Sequence, residues 1–520
     1  MKEYRLFPAI CLVAALLLSA CSQDEPTENS TALPEGEYPL QIGSVTLTAE
    51  VSEQPWTRVV ESTDGMSSVW ENGNVFYVKF EGSDDVGTYK ITDAAAGTVE
   101  AVKPVYWRSA SEEQTIIAWY APQEEGTIDV SNQKDNLVYV LRAEQKATYN
   151  SGIPVSLQFS HQLSKVRVYL RGTAYEGNAT DVTFSYPVSY TISEGVLKQA
   201  SGANGKIQMH KAENTDYYEA LVFPGTIATN ENIFEVTLNN TTTVNINLSA
   251  PLTLVAGSKH DVTLRLHKQG TTEIDLSKQS SSYEISTDGD YYFYGSGSNG
   301  IKLTGENPNV YLGDAAINVG SGNAIDITNG SPTIHVQGNN TVFTNNGVGI
   351  FIAQGNTVTI EGNGTDDALT VEGRQGGAGI GGSAYTPCGN IIIDNIIVTA
   401  RSEGQAGGGI FAAGIGTSSS SVGKISISNA IIYAYAAGDG INMGAAAIGS
   451  GIDSNAGTTI QREFDITISN STIYASKGCS YASYIGAGGD LVNPTGYTII
   501  STAKITNSTI YNESGAVIIQ

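Results

Sequence analysis

Ile427-Ser428-Asn429-Ala430-Ile431-Ile432-Tyr433-Ala434, Ile468-Ser469-Asn470-Ser471-Thr472-Ile473-Tyr474-Ala475 and Ile505-Thr506-Asn507-Ser508-Thr509-Ile510-Tyr511-Asn512 repeat one phrase. Each sets an asparagine two positions after an isoleucine and then resumes an alternation of apolar and other residues. Alternation of period two marks a strand with one buried face. Asparagine tolerates the left-handed backbone of a tight corner better than most side chains. The phrase therefore reads as strand, corner, strand. Earlier versions stand at Ile327-Thr328-Asn329, Ile360-Glu361-Gly362-Asn363 and Ile393-Asp394-Asn395. A second element is Gly349-Ile350, Gly379-Ile380-Gly381, Gly414-Ile415-Gly416, Ala447-Ile448-Gly449 and Tyr484-Ile485-Gly486, whose isoleucines step by 30, 35, 33 and 37 residues. Upstream, Ile301, Ile325 and Ile350 step by 24 and 25. A glycine generally closes the unit, at Gly338, Gly373, Gly404, Gly438, Gly478 and Gly515. Three short strands per unit, with turns at fixed offsets and no helices, describe a parallel β-helix. No single coil can bury its inward Ile and Val, so stacking makes the core. About seven coils are expected from Gly300 to Gln520. Asn395, Asn429, Asn470 and Asn507 are read as structural corner residues able to hydrogen-bond up a ladder.

From Tyr38 to Lys268 the texture differs. Short alternating runs such as Val75-Phe76-Tyr77-Val78, Ile116-Ile117-Ala118-Trp119-Tyr120, Lys165-Val166-Arg167-Val168-Tyr169-Leu170 and Val262-Thr263-Leu264-Arg265-Leu266 are separated by turn signals. This predicts antiparallel sandwiches. The stretch is too long for one sandwich of about 100 residues, so it divides near Ser151-Gly152-Ile153-Pro154. The expected organisation is 38–152 and 153–268 as two sandwiches, 269–282 as a linker and 283–520 as the parallel β-helix, an all-β chain throughout. Core packing is the default for Trp56, Trp70, Trp107 and Trp119, and a hydrogen-bonded structural role for His161.

Lys2 and Arg5 precede an apolar run, Ala9 to Leu18, too short to span a bilayer but suited to a signal peptide. It ends in Leu18-Ser19-Ala20-Cys21, the pattern of a lipoprotein signal, so residues 1–20 are read as signal peptide and Cys21 as the acylated, palmitate-type anchor to the outer membrane. Residues 21–37 form an acidic polar tether. The net charge of −25 argues against nucleic acid and against anionic lipid surfaces. Cys388 and Cys479 are separated too widely for a paired-cysteine metal motif and read as buried thiols.

Three resemblances add to this. The acidic run after Cys21 resembles the surface-export signal of Bacteroidetes lipoproteins. Trp70-Glu71-Asn72-Gly73-Asn74-Val75, Val105-Tyr106-Trp107, Ala118-Trp119-Tyr120-Ala121-Pro122, Phe159-Ser160-His161-Gln162-Leu163-Ser164-Lys165-Val166 and Ala256-Gly257-Ser258-Lys259-His260-Asp261-Val262 resemble landmarks of the fimbrillin-like family of Bacteroidetes pilins. That likeness implies two transthyretin-like sandwiches, a place in surface fimbriae, and assembly in which a trypsin-like protease releases the first strand so that another subunit's strand can replace it. Arg58 is the only basic residue between Cys21 and Lys79, which makes it the candidate cleavage site. The reading of Arg58 as an ordinary exposed arginine stays open beside it. Third, Gly376-Gly377-Ala378-Gly379-Ile380-Gly381-Gly382 with Cys388-Gly389-Asn390-Ile391-Ile392-Ile393 resembles the repeat of bacterial carbohydrate-binding β-helix proteins. That likeness implies a right-handed coil and binding of acidic or cellulose-like polysaccharides, in some members with calcium.

No cofactor is called for otherwise. If calcium binds, the oxygen ligands available on neighbouring coils are Asp326, Asp366, Asp367 and Asp394, whose default reading is that of isolated solvated turn carboxylates. Tyr433, Tyr474 and Tyr511 fall at equivalent positions and should stack on one face, as candidate glycan contacts or as a packing ladder. An enzyme of the lyase or hydrolase kind needs paired carboxylates or a tuned base. In the repeats only Arg374, near Asp366 and Asp367, comes close. The chain is therefore read as a non-enzymatic surface lipoprotein, a tip or accessory fimbrial subunit. Its expected partners are other fimbrial subunits, through strand exchange, and host or dietary glycans or a surface protein. A lipid-anchored glycan binder outside any pilus is the alternative.

Overall fold

A computed structural model describes residues 32–47, 70–150, 153–175, 179–200, 204–211, 215–229, 232–239, 242–248, 250–383, 386–404, 409–418, 420–453, 464–491 and 503–519. Among these residues the single helical element is a 3-10 turn at Leu276–Lys278, and everything regular besides is strand. Low charge, many Tyr, Ile and Thr, and glycine at the corners suit pleated, half-buried surfaces.

The N-terminal half is organised around one apolar cluster reaching from Leu40 to Leu266. Its larger sheet runs Ile42–Leu47, Val155–His161, Leu141–Ala147, Gln114–Tyr120, Val75–Phe80, Gly87–Asp93, Thr98–Lys103. The first pair is parallel and the others are antiparallel. In Val75–Phe80 the alternation turns Phe76, Val78 and Phe80 inward. Trp70, Trp107 and Trp119 are all buried in the cluster, whereas Trp56 lies outside the described residues. His161 is buried too, and desolvation holds its pKa down at about 3, so it is a neutral core residue.

One expected boundary does not match the sheet. Val155–His161 lies beyond the division at 152, yet it pairs with both Leu141–Ala147 and Ile42–Leu47. The turn signal Gly152-Ile153-Pro154 announces a reversal, not a change of sheet. The rest of this half forms smaller sheets, one of Tyr217–Val222, Ser164–Arg171 and Lys259–Arg265, and one of Asn204–Gln208, Ala179–Pro187, Asn232–Leu238 and Thr242–Asn247. Gly126–Asp129 reaches across to pair with Ser189–Ser193, stitching the two parts together.

In the C-terminal half the chain winds through three ladders of parallel strands. The first ladder is Thr333–Gln337, Thr357–Glu361, Asn390–Asp394, Ile425–Ser428, Ile466–Ser469 and Lys504–Thr506. The second is Asn339–Thr344, Ala368–Gly373, Ile397–Ser402, Ile431–Tyr435, Thr472–Ser476 and Thr509–Tyr511. The third begins at Tyr283–Ile285 and continues through Ile301–Leu303, Ile325–Ile327, Ile350–Ile352, Ile380–Gly381, Ile415–Gly416, Ile448–Gly449 and Ile485–Gly486. Alternate side chains from all three meet in a second apolar cluster. Val517–Ile519 folds back antiparallel on Thr509–Tyr511. The winding starts earlier than Gly300. Thr272–Asp275, in the stretch read as a linker, pairs in parallel with Asp290–Gly297, and its Ile274 is buried with Leu276 in the second cluster.

The corners explain the repeated phrase. Asn395, Asn429, Asn470 and Asn507 all have φ between 48° and 52°, the left-handed region. Asn470 Nδ2 donates to Asn429 Oδ1 and Asn507 Nδ2 to Asn470 Oδ1, each at 3.4 Å. In the third ladder Gly416 has φ 131°, and a Cβ there would collide with the carbonyl oxygen of Gly449. The same collision awaits a Cβ at Gly381 or Gly449 with the next glycine. Glycine after the isoleucine is thus a condition of coil stacking.

Candidate functional site

The first described segment is a strap. Ile42–Leu47 lies parallel to Val155–His161 on one side, with Val45 opposite Leu157. Its other side is also bonded: Val45 N donates to Gly97 O at 2.9 Å, Leu40 N to Val105 O at 2.8 Å, and Leu33 N to Arg108 O at 2.9 Å. Trp107 N returns a bond to Tyr38 O at 2.9 Å. Leu40, Ile42 and Val45 are 1%, 7% and 3% exposed. The strap therefore fills a slot whose walls are two otherwise separate edges of one sheet. Emptying it would expose two rows of unbonded backbone groups and an apolar trough, the condition under which a replacement strand is captured. Cys21 and Arg58 lie outside the described residues.

The outer surface of the second ladder carries the tyrosines. Tyr433, Tyr474 and Tyr511 stack with ring centroids 4.7 and 4.9 Å apart and planes 6° and 12° from parallel. They project outward and are half-buried. Both faces of Tyr474 are therefore covered by its neighbours. A sugar could reach it only at the edge and hydroxyl. Beside this column runs another outward set, with Arg401 opposite Tyr435 and Tyr435 opposite Ser476.

The four carboxylates considered for calcium are spread over different parts of the coils. Asp326, on the third ladder between Lys302 and Phe351, accepts Asn323 Nδ2 at 3.2 Å, and burial raises its pKa. Asp394, on the first ladder, accepts Ser428 Oγ at 2.6 Å and Asn429 Nδ2 at 3.0 Å. Asp367 is buried and accepts the N–H groups of Gly338 and Asn363, both at 2.7 Å. Asp366 faces Arg171, Asp216 and Asp314 across a groove. Among the described residues no group of three or more His, Cys, Asp or Glu is arranged to hold a metal ion. Arg374 does not meet Asp366 or Asp367, being held instead by Glu372 at 2.7 Å and Glu403 at 3.0 Å. Cys388 and Cys479 are free and buried, and burial pushes the Cys388 thiol up to about 11.

A polar clasp joins the halves. Gln337, 4% exposed, accepts Gly172 N–H at 2.7 Å and donates to Gly172 O at 3.1 Å and Tyr175 O at 3.2 Å. Arg171 bridges Asp216 at 2.8 Å and Asp314 at 3.1 Å. Next to the clasp, His335 stacks on Tyr311 at 4.3 Å and its Nδ1 meets Glu361 at 2.9 Å, in a cavity of about 380 Å³ walled by Tyr175. Nothing in the repeats signalled this cavity, because Tyr175 comes from the other half.

Residues 57–279 match the fimbrillin-like family. The fimbrillin-like region thus covers most of the N-terminal half and begins beyond the strap. No curated protein matches the chain. Among solved structures, the chain is similar to a candidate cell adhesion protein from Bacteroides uniformis, at 16% identity over 44% of this chain and 95% of that one, with a TM-score of 0.34. A candidate cell adhesion protein from Bacteroides thetaiotaomicron is 21% identical over 43% of this chain and 92% of that one, with a TM-score of 0.29. A C-terminally truncated tip fimbrial protein from Porphyromonas gingivalis is 8% identical over 38% of this chain and 90% of that one, with a TM-score of 0.28.

Proposed function

We propose that this chain is a lipid-anchored fimbrial or adhesive surface subunit, of the tip or accessory kind, with a glycan-binding C-terminal half. In this reading Cys21 carries the acyl anchor at the outer membrane. The N-terminal half forms transthyretin-like sandwiches that serve as the base, and the three parallel ladders form a right-handed parallel β-helix that presents the binding surface. The observation that carries the assembly part is the strap, a short strand bonded on both sides and packed by three apolar residues. Cleavage after Arg58 would cut the covalent link between the strap and the rest of its sheet, leaving only non-covalent contacts to be exchanged for those of a strand from another subunit.

The test is limited trypsin digestion of the intact chain with mass spectrometry of the new N-termini. A single early cut after Arg58, leaving a folded product that takes up a synthetic peptide of residues 33–47, is the expected result. If Arg58 survives while other sites are cut, strand exchange is refuted, and a lipid-anchored glycan binder outside any pilus becomes the better reading.

A further inference from the structure

The stacked tyrosines cover one another, so the surface that could seat a ligand ring has to be sought beside them. Tyr435 belongs to the neighbouring outward column. The Arg401 guanidinium lies over one face of its ring, 4.6 Å from the centroid. On the following strand Tyr435 is paired with Ser476, a side chain too small to cover the other face. A groove of about 390 Å³ opens there, between Tyr435, the edges of Tyr433 and Tyr474, and the turn Asn512 to Gly515. That volume is at the lower end of small-ligand sites. The turn is a fixed wall. Asn512 Oδ1 accepts the N–H of Ser514 at 3.1 Å, the hydroxyl of Ser514 at 2.8 Å and the N–H of Ala516 at 2.8 Å.

We propose that this groove seats one ring of a neutral or amino-bearing oligosaccharide on the open face of Tyr435. The proposal deepens, and rests on, the glycan-binding part of the function above. A pyranose offers an apolar face for the aromatic platform and hydroxyls for a polar wall. Here the polar residues that line the groove beside Tyr435 are Tyr433, Tyr474, Ser476, Asn512, Glu513 and Ser514. The charge argument excludes acidic sugars. No Lys or Arg lines the groove, and Glu513 does. Arg401 lies against the covered face of Tyr435, and Lys477 Nζ is engaged by the carbonyls of Ser480 at 3.2 Å and Ala482 at 3.0 Å. The net charge of −25 acts in the same direction at longer range. This departs from the acidic polysaccharides that the sequence likeness admits.

The experiment titrates the intact chain with chitotriose, mannotriose, the triose of chitosan, and trigalacturonate, using calorimetry and saturation-transfer NMR. The variants are Tyr435→Ala, Tyr435→Phe and, for the cavity at the clasp, Tyr175→Ala. Each is compared with the parent by thermal unfolding. Expected are binding of a neutral or amino trisaccharide, affinity roughly tenfold or more weaker in Tyr435→Ala, and near-parental affinity in Tyr435→Phe. Parental affinity in Tyr435→Ala, or a loss confined to Tyr175→Ala, overturns the Tyr435 site while leaving glycan binding standing. Binding of trigalacturonate alone overturns the charge argument and with it the proposal. If no saccharide binds, the proposal and the glycan part of the function fall together, and strand exchange keeps its separate test.

Discussion

Glu219 is expected to hold the second part of the N-terminal half together, and replacing it by Gln should be among the most damaging conservative changes in the chain. Its carboxylate is fully buried, with Arg167 Nε at 2.9 Å and Lys165 Nζ at 3.5 Å from the same oxygen. Both cations come from Ser164–Arg171, the central strand of its sheet, and Arg167 also covers the Tyr217 ring at 4.1 Å. Gln keeps the shape and removes the charge. Lys165 can respond, because burial, its largest influence, already draws its pKa down to about 7 despite the pull of Glu219. Arg167 cannot shed its proton. The loss is therefore that of one broken buried pair, about 3–5 kcal/mol, against a typical total of about 5–15 kcal/mol. Guanidinium unfolding followed by tryptophan fluorescence is a suitable assay, since Trp70, Trp107 and Trp119 share the cluster that continues into this sheet. A cost below about 1 kcal/mol would refute the counter-ion role, being no more than a surface pair is worth. The pH dependence is a second arm. Lys165 in the fold binds its proton less tightly than in the unfolded chain, so between about pH 7 and the ordinary lysine value of about 10.4 the unfolded state carries more protons. Stability from this group should rise with pH across that window, by at most about 1.4 kcal/mol per unit. Lys165→Met should remove the rise and be neutral or stabilising near pH 7.

Gly416→Ala should destabilise the third ladder by about 1–3 kcal/mol or more, since its φ of 131° is all but reserved for glycine and the new methyl meets Gly449 O. Hydrogen exchange at the amides of Ile415–Gly416 and Ile448–Gly449 should speed up first, and unchanged protection would contradict the stacking argument. Gln337→Ala removes three hydrogen bonds at the clasp and leaves the buried N–H of Gly172 without its acceptor, at a cost of about 1–3 kcal/mol. Calorimetry should then show the two halves unfolding in more separated steps, whereas an unaltered trace would mean that the clasp does not couple them.

What could be read from the sequence was what repeats. The αL asparagines at 395, 429, 470 and 507 and the glycine after each third-ladder isoleucine follow from local backbone demands, and these leave a residue signature. At Asn329 the corner works differently, the positive φ falling on Gly330, so the early coils look less regular. The coil count begins only at Gly300 because Tyr291, Tyr292, Phe293 and Tyr294 replace the Ile-x-Ile pattern upstream of it. Misreading 151–154 as a domain break has the same origin: local sequence specifies a turn, while the choice of sheet is made by contacts from distant strands. Tyr435 escaped notice for the opposite reason. It breaks the repeat, being followed one coil later by Ser476, and an open ring face depends on that absence of a match. The clasp and its cavity need partners more than 160 positions apart and had no local signal.

The two kinds of corner in the coils differ in how much change they can absorb. Between the first and second ladders the chain must turn through a left-handed asparagine within a few residues, from Ile427 to Ile431, Ile468 to Thr472 and Ile505 to Thr509. Between the third and first ladders the connection grows from 353–356 in one coil to 450–465 and 487–503 later, while the ladders on either side keep their register. Between the second and third ladders it grows as well, from 345–349 to 403–414 and 436–447, so insertions accumulate on both sides of the third ladder while the asparagine corner stays short. A lineage, or an engineer, could lengthen and diversify those two connections coil by coil, at a modest entropic cost, without disturbing the register of the ladders or the core beneath them.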